Sequence, residues 1–139
     1  MVTSFYVGVF TLFFVFLSLR VIKGRRKYKI ALSDGNNDKL TQLIRSHANF
    51  IEYTPLFLME LYCLENTIKN YHFIIHIFAI IFFIGRLIHA HGLSNVEKYE
   101  QGILKSGAKL RVIGMKITFA TLITMACILI TRFVLDLLS

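Results

Sequence analysis

Residues Val2 to Leu19 form an unbroken apolar run without a single charge. Wound as a helix at 1.5 Å per residue, a run of this length reaches about 27 Å, close to the hydrocarbon thickness of a bilayer. Such a segment stays in water only if other residues cover it. A chain of 139 residues that is 55% hydrophobic and 17% charged has too few polar residues to do so. A soluble enzyme, a disordered tail and a secreted module are therefore excluded as readings. No Lys or Arg precedes the run to supply the basic start of a cleaved signal peptide, so it is expected to remain in the mature protein.

Three further apolar runs follow. With extension into their flanks, the four predicted spans are residues 2–22, 42–64, 71–93 and 112–135. The second is unlike the others, because Glu52, Pro55 and Glu60 interrupt it, and Pro55, which lacks an N–H, is expected to kink it. The fold class predicted is an all-α integral membrane bundle of four helices in up-down order. No repeat and no Gly/Ser- or Pro-rich linker divides the chain, so residues 1–139 read as a single domain. Cys63 and Cys127 lie inside apolar runs and are expected to serve as small hydrophobes, not as a disulfide framework.

Charge is distributed unevenly over the connections. The first holds Arg20, Lys23, Arg25, Arg26, Lys27, Lys29, Lys39 and Arg45, the third Lys98, Lys105, Lys109 and Arg111, and the second only Lys69. Basic loops stay cytoplasmic. The first and third connections are thus expected in the cytoplasm, with both termini on the other side. The net charge of +8 is accounted for by topology and contact with anionic lipid, and nucleic acid is not expected as a partner.

Ionisable groups at membrane depth are costly and usually face a partner or a cavity. Arg45, Asn49 and Glu52 follow at spacings of four and three, which places them within roughly 60° of arc on the second helix. Arg86 and His89 share a face of the third helix, and Arg25 and Arg111 lie at the same membrane level. Together they offer several guanidiniums, a carboxylate, an amide and an imidazole. That set suits a small zwitterion with surplus carboxylates, gripped by arginine forks while Glu52 holds its ammonium group. The bland alternatives are an intrahelical ion pair along the second helix and snorkelling of Arg25 or Arg111.

The segments Val21-Ile22-Lys23-Gly24-Arg25-Arg26, Arg45-Ser46-His47-Ala48-Asn49-Phe50-Ile51-Glu52-Tyr53-Thr54-Pro55 and Gly85-Arg86-Leu87-Ile88-His89 resemble the membrane-associated proteins in eicosanoid and glutathione metabolism. That family includes microsomal glutathione transferases and leukotriene C4 synthase. Arg-x-x-x-Asn-x-x-Glu-Tyr-x-Pro is its glutathione-binding signature, and Arg111-Val112-Ile113-Gly114-Met115 with Thr118 is similar to a small bacterial inner-membrane branch. The resemblance implies a homotrimer with glutathione bound between subunits near the cytoplasmic face. It makes Arg25, Arg45, Asn49, Glu52, Tyr53, Arg86 and His89 contacts to glutathione as co-substrate, and Arg111 the catalytic residue that stabilises its thiolate. Lys109 and Lys105 are alternatives for that role, and Ser106 and Thr118 offer hydroxyls to the sulfur. Leu93 stands where members often place a tyrosine.

The function implied is a glutathione transferase of detoxification type, joining the thiolate to lipophilic electrophiles delivered through the bilayer and reducing lipid hydroperoxides as a second reaction. A thiol with pKa near 8.5 is mostly protonated at neutral pH, and a fixed cation beside it lowers that value. The rivals are a non-catalytic membrane protein that binds lipid or glutathione, and a small multidrug transporter, against which the absence of an acid in Val2 to Leu19 counts. A haem-binding bundle using His47, His89 and His91 is a third. No metal site is expected, because the histidines lack Cys or carboxylate neighbours at ligand spacing.

Overall fold

The computed structural model describes residues 1–68, 72–94, 99–100, 103–104 and 108–138. They form α1 (Val2–Tyr28), α2 (Asp38–Thr67), α3 (His72–Ser94) and α4 (Ala108–Leu138), the expected all-α bundle. Between α3 and α4 two short strands, β1 (Tyr99–Glu100) and β2 (Ile103–Leu104), pair antiparallel with Tyr99 opposite Leu104. The helices run longer than the apolar runs because backbone hydrogen bonding continues past the lipid boundary, most clearly where α1 carries its basic segment out to Tyr28. Tyr71, Lys69, Lys98, Lys105 and Ser106 lie outside the described residues.

Three helices, over Val2–Tyr28, His72–Leu93 and Lys109–Leu138, are long and apolar enough among the described residues to cross a bilayer. α2 has lower hydropathy because Asp38, Lys39, Arg45, Asn49, Glu52, Glu60 and Glu65 are distributed along it. It runs unbroken through Pro55, so the interruption expected there is absorbed within one continuous helix. α1 packs on α2 and touches α3, whereas α4 packs on α3 and touches α2, leaving α2 and α3 in the middle.

Aromatic rings fill that middle. Phe57 of α2 and Phe82 of α3 stack with centroids 3.8 Å apart, and Phe10 of α1 lies 5.9 Å from each. Lipid tails are as apolar as these rings, so close packing and internal hydrogen bonds, not escape from water, must hold such helices together. Glu65 supplies one such bond at the far end of α2, where its carboxylate accepts from the backbone N–H groups of Val2 and Thr3, the latter at 2.9 Å. It thereby caps α1 from another helix, satisfying donors that a helix start leaves open. Tyr6 and His76 add a 2.8 Å hydrogen bond between α1 and α3.

At the opposite end the chain turns from α1 into α2. Lys29 takes a left-handed conformation, φ 56°, and the Asn37 side chain accepts from the Leu40 N–H at 2.9 Å to cap α2. Asp34 accepts from the Asn36 N–H and the Thr41 hydroxyl, which hold its carboxyl below the usual range. Cys63 and Cys127 lie exposed on helix surfaces instead of in the core, because each falls on a face that no neighbouring helix covers.

α3 and α4 approach closely where Gly85 meets Gly114. A Cβ on Gly114 would come within 2.7 Å of the Gly85 carbonyl oxygen and 2.8 Å of the His89 backbone nitrogen. Neither is the end of a flexible side chain, so the helices would have to separate. Gly114→Ala is therefore expected to cost about 1–3 kcal/mol, read as a lower thermal midpoint in detergent. Gly8→Ala, where nothing lies within 4 Å, is expected to leave that midpoint unchanged or raised.

Candidate functional site

Arg86 is 2% exposed, and α3 carries it into the seam with α2 and α4. Its guanidinium donates from Nη1 to Asn49 Oδ1 and from Nη2 to Thr118 Oγ1 at 2.5 Å and to the Gly114 carbonyl at 3.5 Å. The planar cation also lies 5.2 Å from the Tyr53 ring centroid and 5.8 Å from that of Phe82. Thr118 donates in turn to the Gly114 carbonyl at 2.9 Å. One side chain thus joins α2, α3 and α4 through acceptors that only a fork-shaped donor reaches together.

Above this junction lies a cavity of about 180 Å³ lined by Arg45, Asn49, His89, Leu93, Arg111 and Met115. Helical periodicity accounts for the α2 contribution, since Arg45 and Asn49 are one turn apart. His89 reaches the cavity one turn beyond Arg86, and Arg111 and Met115 one turn apart on α4. His89 Nδ1 lies 3.1 Å from the Arg111 carbonyl oxygen. A carbonyl only accepts, so Nδ1 carries the proton. That bond ties α3 to the first turn of α4 and sets the backbone from which Arg111 projects.

The structure therefore brings together Arg45, Asn49, His89 and Arg111 around one space, with Arg86 and Tyr53 directly beneath it. Glu52 stands exposed on the outer edge of the same α2 stripe, neighbouring Arg45 by helical position. Arg25 is placed differently. Its guanidinium donates to the carbonyls of Ala31 at 3.2 Å and Ser33 at 2.8 Å, bracing the connection into α2, and it does not line the cavity. Arg86 is likewise occupied by internal acceptors, so it fixes the site's walls. Lys109 is exposed at the start of α4, and Lys105 and Ser106 are outside the described residues.

Electrostatically the cavity is cationic, with Arg45 and Arg111 in its lining and Arg86 bonded to Asn49 below, while Glu52 lies two turns along α2 from Arg45. An anionic ligand matches that arrangement. Leu93 and Met115, which the pattern of polar residues does not single out as ligand contacts, provide its apolar lining. Thr118 proves to be an acceptor for Arg86. Among the described residues no three His, Cys, Asp or Glu side chains gather as metal ligands.

The sequence profile of the MAPEG family matches residues 3–131, a stretch that takes in all four helices and every residue of the cavity. The chain belongs to the MAPEG family. It is also similar to proteins named inner membrane protein YecN from Escherichia coli strain K12 and from Escherichia coli O6:H1. Each is 31% identical over 93 residues, which cover 66% of this chain and 70% of the relative. With three helices able to span a bilayer, this MAPEG member is an integral membrane protein.

The Arg86 junction leads to a direct test. A lysine there has a single ammonium and cannot serve the Asn49 and Thr118 acceptors at their separate positions. Arg86→Lys is expected to destabilise the fold by about 1–3 kcal/mol, the cost of leaving buried polar groups unpaired. Thermal unfolding in detergent measures it, with Arg26→Lys on the exposed end of α1 as the control expected to show no change.

Proposed function

We propose that this protein is a membrane-bound glutathione transferase, joining the glutathione thiolate to lipophilic electrophiles that reach it through the bilayer. The observation that carries the reading is the convergence of Arg45, Asn49, His89 and Arg111 on one cationic cavity. In this reading Arg45 and Asn49 hold carboxylate and amide groups of the tripeptide, Glu52 its ammonium group, and Tyr53 and His89 complete the contacts. Arg86 acts as a positioning residue beneath them. Arg111 lies beside the sulfur and lowers the thiol pKa electrostatically, since a guanidinium stays charged and does not shuttle protons.

The reaction then needs no nucleophile from the protein. The thiolate sulfur attacks the electrophilic carbon, the new C–S bond forms, and the leaving group departs with its electron pair. With a lipid hydroperoxide the same thiolate attacks the terminal oxygen, the O–O bond breaks to leave the lipid alcohol and a glutathione sulfenic acid, and a second glutathione attacks that sulfur to form the disulfide with loss of the oxygen as water.

Oligomerisation belongs to the same proposal. Sites for drug-sized ligands occupy about 300–1,000 Å³, and the cavity within one chain, about 180 Å³, is smaller. An exposed Glu52 facing lipid would be penalised by up to roughly 3 kcal/mol. A neighbouring protomer covering this edge removes both difficulties, in keeping with a homotrimer. In this reading the site faces the cytoplasm with both termini opposite, which the basic first and third connections support, and similarity to inner membrane proteins supports a bacterial inner membrane.

Leu93 favours a second reading. It gives the cavity wall an alkyl group where a tyrosine would give a hydroxyl, so a protein that binds glutathione or lipid without turnover fits that position. Purified protein is expected to conjugate glutathione to chlorodinitrobenzene, with Arg111→Ala lowering kcat about 100-fold while the thermal midpoint is retained. Tight glutathione binding without turnover above background would select the binding protein. Calorimetric titration is expected to show glutathione bound about tenfold more weakly by Glu52→Gln, and equal affinities would remove the ammonium contact.

A further inference from the structure

On the side of α2 turned away from the glutathione cavity, α1 and α2 leave a groove of about 300 Å³ between them. Asn49 lines the cavity and Ile51 the groove, and a step of two residues turns the helix by about 200°. The groove walls are apolar side chains of both helices, among them Val7, Phe10, Phe14 and Leu58. Val7, Phe14 and Ile51 are exposed, so the groove opens sideways toward lipid.

Its few polar atoms are of one kind. Thr11 and Thr54 also line it, and each hydroxyl gives its proton to a carbonyl of its own helix, Thr11 to Val7 at 2.8 Å and Thr54 to Phe50 at 2.6 Å. Pro55 stands on the same wall. In a continuous helix the Ile51 carbonyl takes its hydrogen bond from the N–H four residues on, and Pro55 has none. Carbonyls freed in this way in membrane helices are met by nearby hydroxyls or neighbouring helices, yet here both threonine protons are committed to other carbonyls. The groove therefore offers acceptors and no side-chain donor, and a ligand has to bring the donor itself. A plain hydrocarbon or an ester has none to bring, and an ammonium group is costly so far from water.

Depth narrows the ligand further. Ile51 lies near the middle of α2, roughly 20 Å from either end, and Phe10 and Thr11 stand at the centre of the apolar run Val2 to Leu19. Headgroup hydroxyls sit at the interface, about 15 Å from the bilayer midplane. A hydroxyl that reaches the midplane is carried on the acyl chain itself. We propose that the α1/α2 groove binds an acyl lipid hydroxylated in mid-chain, its O–H donating to the Ile51 carbonyl while the chain lies over Phe10, Phe14 and Leu58. The site is on a different face of α2 from the cavity of Arg45 and Arg111, and it stands whether or not that cavity performs transfer.

The test uses the full chain in detergent without glutathione, and native mass spectrometry counts the lipid retained from equal amounts of stearate and of stearate hydroxylated in mid-chain. Hydroxystearate is expected to be retained about fivefold over stearate, the size of one net hydrogen bond. Ketostearate with its carbonyl at the same carbon only accepts, and is expected to bind like stearate. Pro55→Ala supplies the missing N–H and is expected to bring hydroxystearate down to the level of stearate. Val7→Trp fills the mouth of the groove and is expected to reduce both lipids several-fold, whereas Ile123→Trp, at an exposed position of α4, is expected to change neither. Equal retention of hydroxystearate and stearate overturns the proposal, as does a preference that persists in Pro55→Ala or ketostearate that matches hydroxystearate. Equal losses in Val7→Trp and Ile123→Trp overturn it too, since lipid would then coat the bundle without a site. Wild-type retention no higher than that of Val7→Trp also overturns it and gives the groove to a second copy of the chain. Should Pro55→Ala fail to fold, the three lipids and Val7→Trp still decide.

Discussion

A guanidinium inside a membrane bundle has to be surrounded by acceptors, and this requirement organises the molecule around Arg86. Exposed to lipid it would be expensive; enclosed, it must find oxygen atoms on neighbouring helices. It finds them on Asn49 of α2 and on Thr118 and the Gly114 carbonyl of α4, with the Tyr53 and Phe82 rings against its faces. The glycine contact between α3 and α4 lets the backbones come near enough for these bonds to form. The walls above Arg86 are consequently fixed from three helices at once, and the cationic cavity exists because that junction holds them.

The same constraint separates residues that hold the site from residues that face a ligand. Arg25 and both terminal nitrogens of Arg86 donate to protein acceptors, whereas Arg45 and Arg111 are part of the cavity lining. The cavity is therefore cationic by way of two walls and a floor. That is the setting in which a thiol would be shifted toward its thiolate, which is the electrostatic basis of the proposed transfer reaction.

Much of this was legible from residue spacing. Four apolar runs gave four helices, and the spacing of Arg45 and Asn49 put both on the face that lines the cavity. Burial of Arg86 and His89 was foreseeable from their depth in an apolar run, but their partners were not. Asn49 and Thr118 are 37 and 32 positions from Arg86, and no local pattern says which helix meets which. Glu65 capping α1 across 62 positions was invisible for the same reason. Arg25 looked equivalent to the other arginines because sequence does not reveal the left-handed turn at Lys29 that brings loop carbonyls to it. The exposed cysteines reflect the membrane itself, where an apolar position is as well placed against lipid as in a core.

The claim at the centre of this account is that the cavity binds glutathione with its sulfur beside a fixed cation. Ultraviolet difference spectroscopy of glutathione on the purified protein, titrated across pH, measures thiolate directly. The account predicts that bound glutathione keeps its thiolate absorbance well below the pKa of about 8.5 of a free thiol, and that the shift disappears in Arg111→Ala. Bound glutathione that titrates as it does in free solution would contradict it.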